Sequence, residues 1–475
     1  MTSLLFVLPP SVSSVGSTAK SFGIERAAKY AQIDFYVSTW DQRTFSIQNN
    51  DFDYVAFLGE PLELSRDSIS LVLEAFTRNP TVTVVYGDSS QTPLPDPSPQ
   101  RLLRQNFLRS LFFVRKEAVA SRGGLSSELE TSAAVYELVL SQLGEQELFS
   151  HIDVPISRLL TPASTQELSQ EEITESKHVL SKAWVNRGGA DIGEYLGRGS
   201  FEVQAKIQDE PLVSIVIPTQ AIFSNRDEKQ SCLVIDAVES IVSKTDYSNY
   251  ELVVVFDSEA DQQVLSQLKS IAGSKLNLVE WTKPFNFSQK MNFGVLHAKG
   301  DYVLLLNDDV EVLSDNWLSS MLALAQLPNA GMVGAMLYYE DDTIQHAGHA
   351  YYEGSPTHIG LGAPRDSDGP NHGFKVAREV SGVTAACALM PMSVFKEVGG
   401  FTALLPGNFN DVDLCLKVGW KNYDIYWTPD AELYHFESKS RDAHVHYYEL
   451  DVIEHRWGLR LSDNRFWRGH PWATQ

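Results

Sequence analysis

The chain reads as an α/β protein built from two copies of one fold, and three observations predict this. Strand-like apolar runs alternate with helix-like segments, the pattern of a sheet with helices packed on it. One run, Tyr302 to Leu306, is apolar throughout, as in a strand buried on both faces, and it ends on Asn307-Asp308-Asp309. The sequence also repeats itself. DYVAFLGEPLEL (Asp53 to Leu64) stands in register with DYVLLLNDDVEV (Asp301 to Val312), and FFVRKEAVASRGGL (Phe112 to Leu125) echoes ALMPMSVFKEVGGF (Ala388 to Phe401).

In order, Leu4 to Leu8 predicts a strand stopped by Pro9-Pro10, Gly23 to Ala31 a helix, and Ile33 to Val37 a second strand. Asp67 to Thr77 continues as a helix and Thr81 to Tyr86 as a strand. Residues 1–160 form the expected first domain. Residues 161–210 are polar and acidic, with a helix ending near Gly188-Gly189, and read as a helical connector. The second copy, 211–445, opens on the buried-strand run PLVSIVIPT (Pro211 to Thr219). A basic and aromatic extension, 446–475, closes the chain.

Composition narrows the function. The 475 residues are 43% hydrophobic and 21% charged, as in an ordinary globular protein. A formal net charge of -23 argues against nonspecific nucleic-acid binding, so no nucleic-acid partner is expected. Three cysteines with no CxxC pair indicate neither a disulfide framework nor a structural zinc site, and a reducing cytoplasm is the expected compartment. The amino terminus lacks the basic start and apolar core of a signal peptide, and no apolar run is long enough to span a bilayer.

The chemistry collects in the second copy. Asp308 and Asp309 sit at the carboxyl end of a strand, where open α/β sheets bind ligands. Adjacent carboxylates repel unless a cation or hydrogen-bond donors answer them, which suggests a divalent metal and a phosphorylated ligand; an acidic surface turn is the alternative. Four further pieces follow: Asp257 ending the strand Leu252 to Phe256, FNFSQKMNFG (Phe285 to Gly294), Asp411 at a helix start with Asp413 behind it, and His435 after a strand. Singly, each has a structural reading as a turn residue, a helix cap or a packed histidine.

Together, VSIVIPT, FNFSQKMNFG, LLLNDDVEV, IQHAGH, VSGVTAACAL, FNDVDLCLKVGW and ELYHFESKSR make residues 211–441 resemble the inverting family 2 glycosyltransferases of bacteria, with the GT-A fold, that build surface polysaccharides such as O-antigen. The resemblance implies two GT-A domains in tandem, the first degenerate. It implies Asp411 as catalytic base and Asp309 with His435 as ligands of Mn²⁺ or Mg²⁺. Pro218, Thr219, Asp257, Asn292, Asn307, Asp308 and Arg441 would contact a nucleotide-diphospho-sugar carrying UDP, dTDP or GDP. The acceptor would be a saccharide or a lipid-linked saccharide. Asn410 stands where the family usually has an acid before the base, and Ser258-Glu259 replace the usual Asn-Gly after Asp257. In the first copy, Gly59-Glu60-Pro61 replaces Asn307-Asp308-Asp309, with Ala134 and Arg158 near the places of base and histidine, so that copy is expected to be non-catalytic.

Two rival readings fit the sequence less well. A nucleotidyltransferase would need a glycine-rich loop after its first strand, where this chain has Pro218-Thr219-Gln220. An inactive scaffold would not need Asp309, Asp411 and His435. In the tail, Arg456, Arg460, Arg465 and Arg468 interleave with Trp457, Phe466, Trp467 and Trp472, which suits peripheral contact with a membrane surface or packing on the second domain.

Overall fold

The structure is a computed structural model and describes residues 2–9, 18, 20–40, 51–91, 93–144, 148–160, 167–226, 229–352, 354–436, 445–462 and 464–467. Two compact units make up the chain: 1–203 with 370–376, and 204–369 with 377–475. Both have the expected mixed α/β class.

In the first unit, strands β1 (Ser3–Val7), β2 (Asp34–Ser38), β3 (Tyr54–Leu58), β4 (Leu62–Leu64), β5 (Val84–Ser89), β6 (Leu111–Arg115) and β7 (Phe149–Leu159) form a sheet in the order β2-β1-β3-β6-β5-β7-β4. Its core gathers Leu4, Phe6, Ala56, Leu58 and Phe113 against Ile69, Val72 and Phe76 of the helix Ser68–Arg78. The stretch read as a connector is richer than a plain helix. The helix Gln170–Val185 begins on a capping box, Ser169 with Glu172, and buries Val179, Leu180 and Trp184. An antiparallel hairpin then follows, β8 (Ala190–Gly197) and β9 (Ser200–Ala205). Its turn holds Gly197, Arg198 and Gly199 at φ 99°, 48° and 73°, which the flanking glycines make inexpensive.

The second unit contains β10 (Val213–Thr219), the hairpin β11 (Ser224–Arg226) and β12 (Lys229–Ser231), β13 (Tyr250–Asp257), β14 (Leu276–Trp281), β15 (Tyr302–Leu306), β16 (Val310–Val312) and β17 (Ala330–Tyr338). After these come β18 (Ile344–His346), the hairpin β19 (His349–Tyr352) and β20 (Ser355–His358), β21 (Arg378–Glu379), β22 (Cys387–Pro391) and β23 (Asp424–His435). The main sheet runs β14-β13-β10-β15-β22-β17-β23-β16, with β18 beside β17 and β21 beside β23. Strand for strand, the first unit's order recurs here as β13-β10-β15-β22-β17-β23-β16.

Register refines one expectation. Leu62 faces Leu159 across β4 and β7, as Val310 faces His435 across β16 and β23. Leu159, not Arg158, therefore occupies the place of His435 in the first unit.

Three local features open the second sheet at the carboxyl ends of its parallel strands. β15 is wedged between parallel β10 and antiparallel β22, which explains its unbroken apolar run. β10 stays paired with β13 as far as Thr219, but with β15 only as far as Val216. Pro218 lies beyond that point, where its missing N–H removes no bond to β15. Finally, the helix Phe287–Leu296 lies close on the sheet at Gly294, where a Cβ would come within 2.5 Å of Val216 and 2.7 Å of Val255. Among the described residues no helix is long and apolar enough to cross a membrane.

Candidate active site

The fork between β10 and β15 opens into a cavity of about 670 Å³, lined by Pro218, Thr219, Asn307, Asp308, Asp309, Asp411 and His435 among others. Seven of the ten expected site residues thus converge on one space. Asp257 is linked to it through Lys290. Asn292 is not: its side-chain amide donates to Phe401 O and accepts from Phe401 N, both at 2.9 Å, so both polar ends hold a loop. That corrects the expected place of Asn292 in the nucleotide pocket. Arg441 lies outside the described residues.

The floor of the cavity is acidic. Burial, reinforced by the charge of Asp309, pushes the Asp308 carboxyl up to about 7, against a hydrogen bond from Thr219 and the charge of Lys290. Asp309 is 5% exposed, and its Oδ1 is buried without a hydrogen-bond partner. His435 ends β23, a strand longer than the sequence suggests. Its Nδ1 lies 2.7 Å from Gln345 Oε1, an acceptor, so Nδ1 carries the ring proton. Nε2 therefore presents a lone pair, 3.1 Å from the Asn307 side-chain amide and 3.2 Å from Asp309 Oδ1. A carboxylate oxygen and an imidazole lone pair facing each other at this distance repel unless a cation lies between them. Carboxylate with imidazole is a donor set that Mn²⁺ accepts and Mg²⁺ tolerates. The residues present fit a divalent metal.

Two participants here escaped sequence reasoning. Lys290 is 2% exposed, and its ammonium donates to Thr219 O at 2.6 Å and to Asp257 Oδ1 at 2.5 Å. Burial lowers its pKa, and the carboxylate of Asp257 opposes that shift. The only signal was a lysine inside an otherwise apolar-faced helix. Gln345 orients His435 and also approaches its backbone oxygen at 3.3 Å; it stood unremarked within IQHAGH.

Asp411 opens the helix Asn410–Trp420 and faces the same cavity, half-buried, with Oδ1 accepting from Val412 N at 2.8 Å. Asp413, two residues on, is fully buried and accepts from Thr402 at 2.6 Å and from Trp457 Nε1 at 2.9 Å. It supports the helix.

His346, His349 and His358 bring ligating atoms within 4.8 Å of one another, a grouping that could suggest a second metal. The hydrogen bonds point elsewhere. The Thr384 amide donates to His346 Nε2 at 3.2 Å, so the ring proton of His346 is on Nδ1, which donates to His358 Nδ1 at 2.9 Å. Burial holds His346 well below its ordinary pKa and takes His349 down to about 4. His346 has no lone pair left for a metal; it pairs with His358, while His349 Nδ1 is buried without a hydrogen-bond partner.

Comparison with known proteins agrees with this geometry. Residues 214–399 match the model of "Glycosyl transferase family 2". The chain is 32% identical over 445 residues to the uncharacterized protein y4gI of Sinorhizobium fredii, covering 88% of this chain and 47% of that one. It is 27% identical over 443 residues to the O-antigen biosynthesis protein RfbC of Myxococcus xanthus, covering 88% and 34%. Over 119 residues it is 30% identical to the amylovoran biosynthesis glycosyltransferase AmsB of Erwinia amylovora, covering 23% and 40%. The chain spans half or less of the length of each of these relatives. With its mixed sheet, its strand-end acids and this match, the second unit is a family 2 glycosyl transferase domain.

Proposed function

We propose that the chain transfers a sugar from a nucleotide-diphospho-sugar to a saccharide or lipid-linked saccharide, with inversion, in the synthesis of a cell-surface polysaccharide. The observation that carries this reading is the facing pair Asp309 Oδ1 and His435 Nε2, 3.2 Å apart, in the cavity that also holds Asp411. Asp309 and His435 would hold Mn²⁺ or Mg²⁺, which supplies positive charge where the departing diphosphate gains negative charge. Asp308 and Thr219 would bind the nucleoside near the ribose. Asp257, braced by Lys290, would meet the base, and Pro218 and Asn307 would line the donor's path. Asp411 takes the proton from the acceptor hydroxyl as that oxygen attacks the anomeric carbon on the face opposite the diphosphate. The first unit serves as a non-catalytic copy. The relatives named for O-antigen and amylovoran biosynthesis support the polysaccharide context.

The test is nucleotide release from a panel of UDP-, dTDP- and GDP-sugars with Mn²⁺ or Mg²⁺ and simple saccharide acceptors, alongside direct donor binding. Metal-dependent release from one donor class, abolished by Asp309→Ala, is expected. A well-folded protein that binds no donor with either metal would overturn the proposal.

A further inference from the structure

One buried carboxylate of the second unit has no place in this mechanism. Glu449, on the helix Tyr447–Trp457, is fully buried, and four N–H groups converge on it. Oε1 accepts from Gly407 N at 3.1 Å and Asn408 N at 2.8 Å, and Oε2 from the Asn408 side chain at 2.9 Å and His446 N at 3.2 Å. Burial alone would raise this acid; the donors, those of Asn408 foremost, hold it below the usual carboxylate range.

Three of those donors belong to the loop that leads directly into the Asp411 helix. Between loop and helix stands Phe409 at φ 56°, ψ 8°, a left-handed conformation that costs a side chain with a Cβ roughly 1–2 kcal/mol. Such a cap persists only where its surroundings hold it. The same C-terminal helix grips the Asp411 helix further along: Trp457 Nε1 and Arg456 Nε reach Asp413 Oδ1 at 2.9 and 3.2 Å. Ile453 and Leu461 pack with Val412 and Leu416. Gly407, Asn408 and Phe409 line the cavity beside Asp411.

We propose that Glu449 is a positioning residue for Asp411: by fixing Gly407 and Asn408 it holds the Phe409 turn that aims the base at the acceptor hydroxyl. This rests on the reading of Asp411 as catalytic base. It extends the active site into a helix beyond the matched residues 214–399.

The test uses the full chain with Glu449→Ala and Glu449→Gln, each alone and combined with Asp411→Asn. Because a misplacement of about 1 Å costs about 100-fold in rate, Glu449→Ala should lower kcat by about that factor, with donor affinity held within about twofold. Glu449→Gln keeps one oxygen for the two loop amides and should lose about tenfold. In the Asp411→Asn background, the same changes should alter the residual rate by less than about threefold, since residues acting as a unit are not additive. An unchanged kcat in the single variants overturns the proposal. So does a fall in donor affinity in step with kcat, or a full additional loss on top of Asp411→Asn. If Glu449→Ala does not fold, Glu449→Gln decides by the same criteria. A wild-type chain that transfers no sugar overturns the enzymatic reading itself and the inference with it; an active wild type with insensitive Glu449 variants overturns the inference alone.

Discussion

The two units thread the same strand order and end the same pair of strands in opposite ways. In the second, Asp308 and Asp309 face a cavity of about 670 Å³, and Asp309 Oδ1 is left without a donor. In the first, Glu60 stands where Asp308 would be, and it is answered from within: Arg109 reaches Oε1 at 2.7 Å and the Ser110 hydroxyl reaches Oε2 at 2.6 Å. The space around Glu60 and Arg109 shrinks to about 60 Å³. Pro61 replaces the metal-candidate acid, and Leu159 replaces the histidine. One arrangement spends its acid on structure; the other leaves one acid oxygen, Asp309 Oδ1, without a donor.

The contrast can be tested from its largest consequence downward. Asp411→Asn should reduce transfer by about 10³-fold with donor binding intact, in line with the usual worth of a general base, whereas Glu60→Gln in the first unit should leave transfer unchanged. Steady-state kinetics on both variants decide; loss of transfer in Glu60→Gln would break the comparison. Gln345→Ala, which frees the His435 ring from its fixed tautomer, should weaken Mn²⁺ binding by about 10–100-fold, measurable by titration of the metal without any turnover.

Stability should respond unequally in the two units. Arg109→Ala leaves Glu60 buried and unpaired, with an expected loss of about 3 kcal/mol in the first unit, read by chemical denaturation. Asp309→Asn keeps the side chain's shape but removes the carboxylate, so metal binding should be lost while the metal-free second unit changes by no more than about 1 kcal/mol. The smallest effect concerns pH. The His151 side chain is 1% exposed and bonded at 2.9 Å to both Asp88 and Asp96. Burial lowers its pKa, but the two carboxylates prevail and raise it above the ordinary value. A raised folded pKa means that this contribution is fully present below about pH 6.5 and is lost as pH rises through the folded value. Asp96→Asn should flatten that dependence, by about 1 kcal/mol across the window.

The sequence disclosed what is written locally. Tyr302 to Leu306 shows its burial because the strand lies inside the sheet between β10 and β22, and Asn307-Asp308-Asp309 shows its chemistry because three polar residues close an apolar run. Repetition made the first copy legible, down to the loss of the metal-candidate acid at Pro61. What stayed hidden depends on partners far along the chain. Lys290 is 33 residues from Asp257 and looks like any helical lysine until the sheet brings them together. Gln345 acquires meaning only because β18 and the end of β23 bring it against His435. The hairpin after Trp184 had a signal, Gly197-Arg198-Gly199 between two alternating stretches, that the polar composition of the segment masked. The described part of the tail, read as open between membrane and protein, packs on the second unit through Ile453, Trp457 and Leu461.

Pro218 has a counterpart in the first unit. Val213 pairs with Tyr302 as Leu4 pairs with Tyr54, so counting forward places Pro9 where Pro218 stands. Both copies thus carry a proline two residues past the point where this strand parts from one neighbour, β10 from β15 after Val216 and β1 from β3 after Val7. Whether the resulting gap is a workshop or a wall is then a matter of side chains alone. A lineage could close such a gap by exchanging a few of them, and a designer could reopen the first one, without moving a single strand.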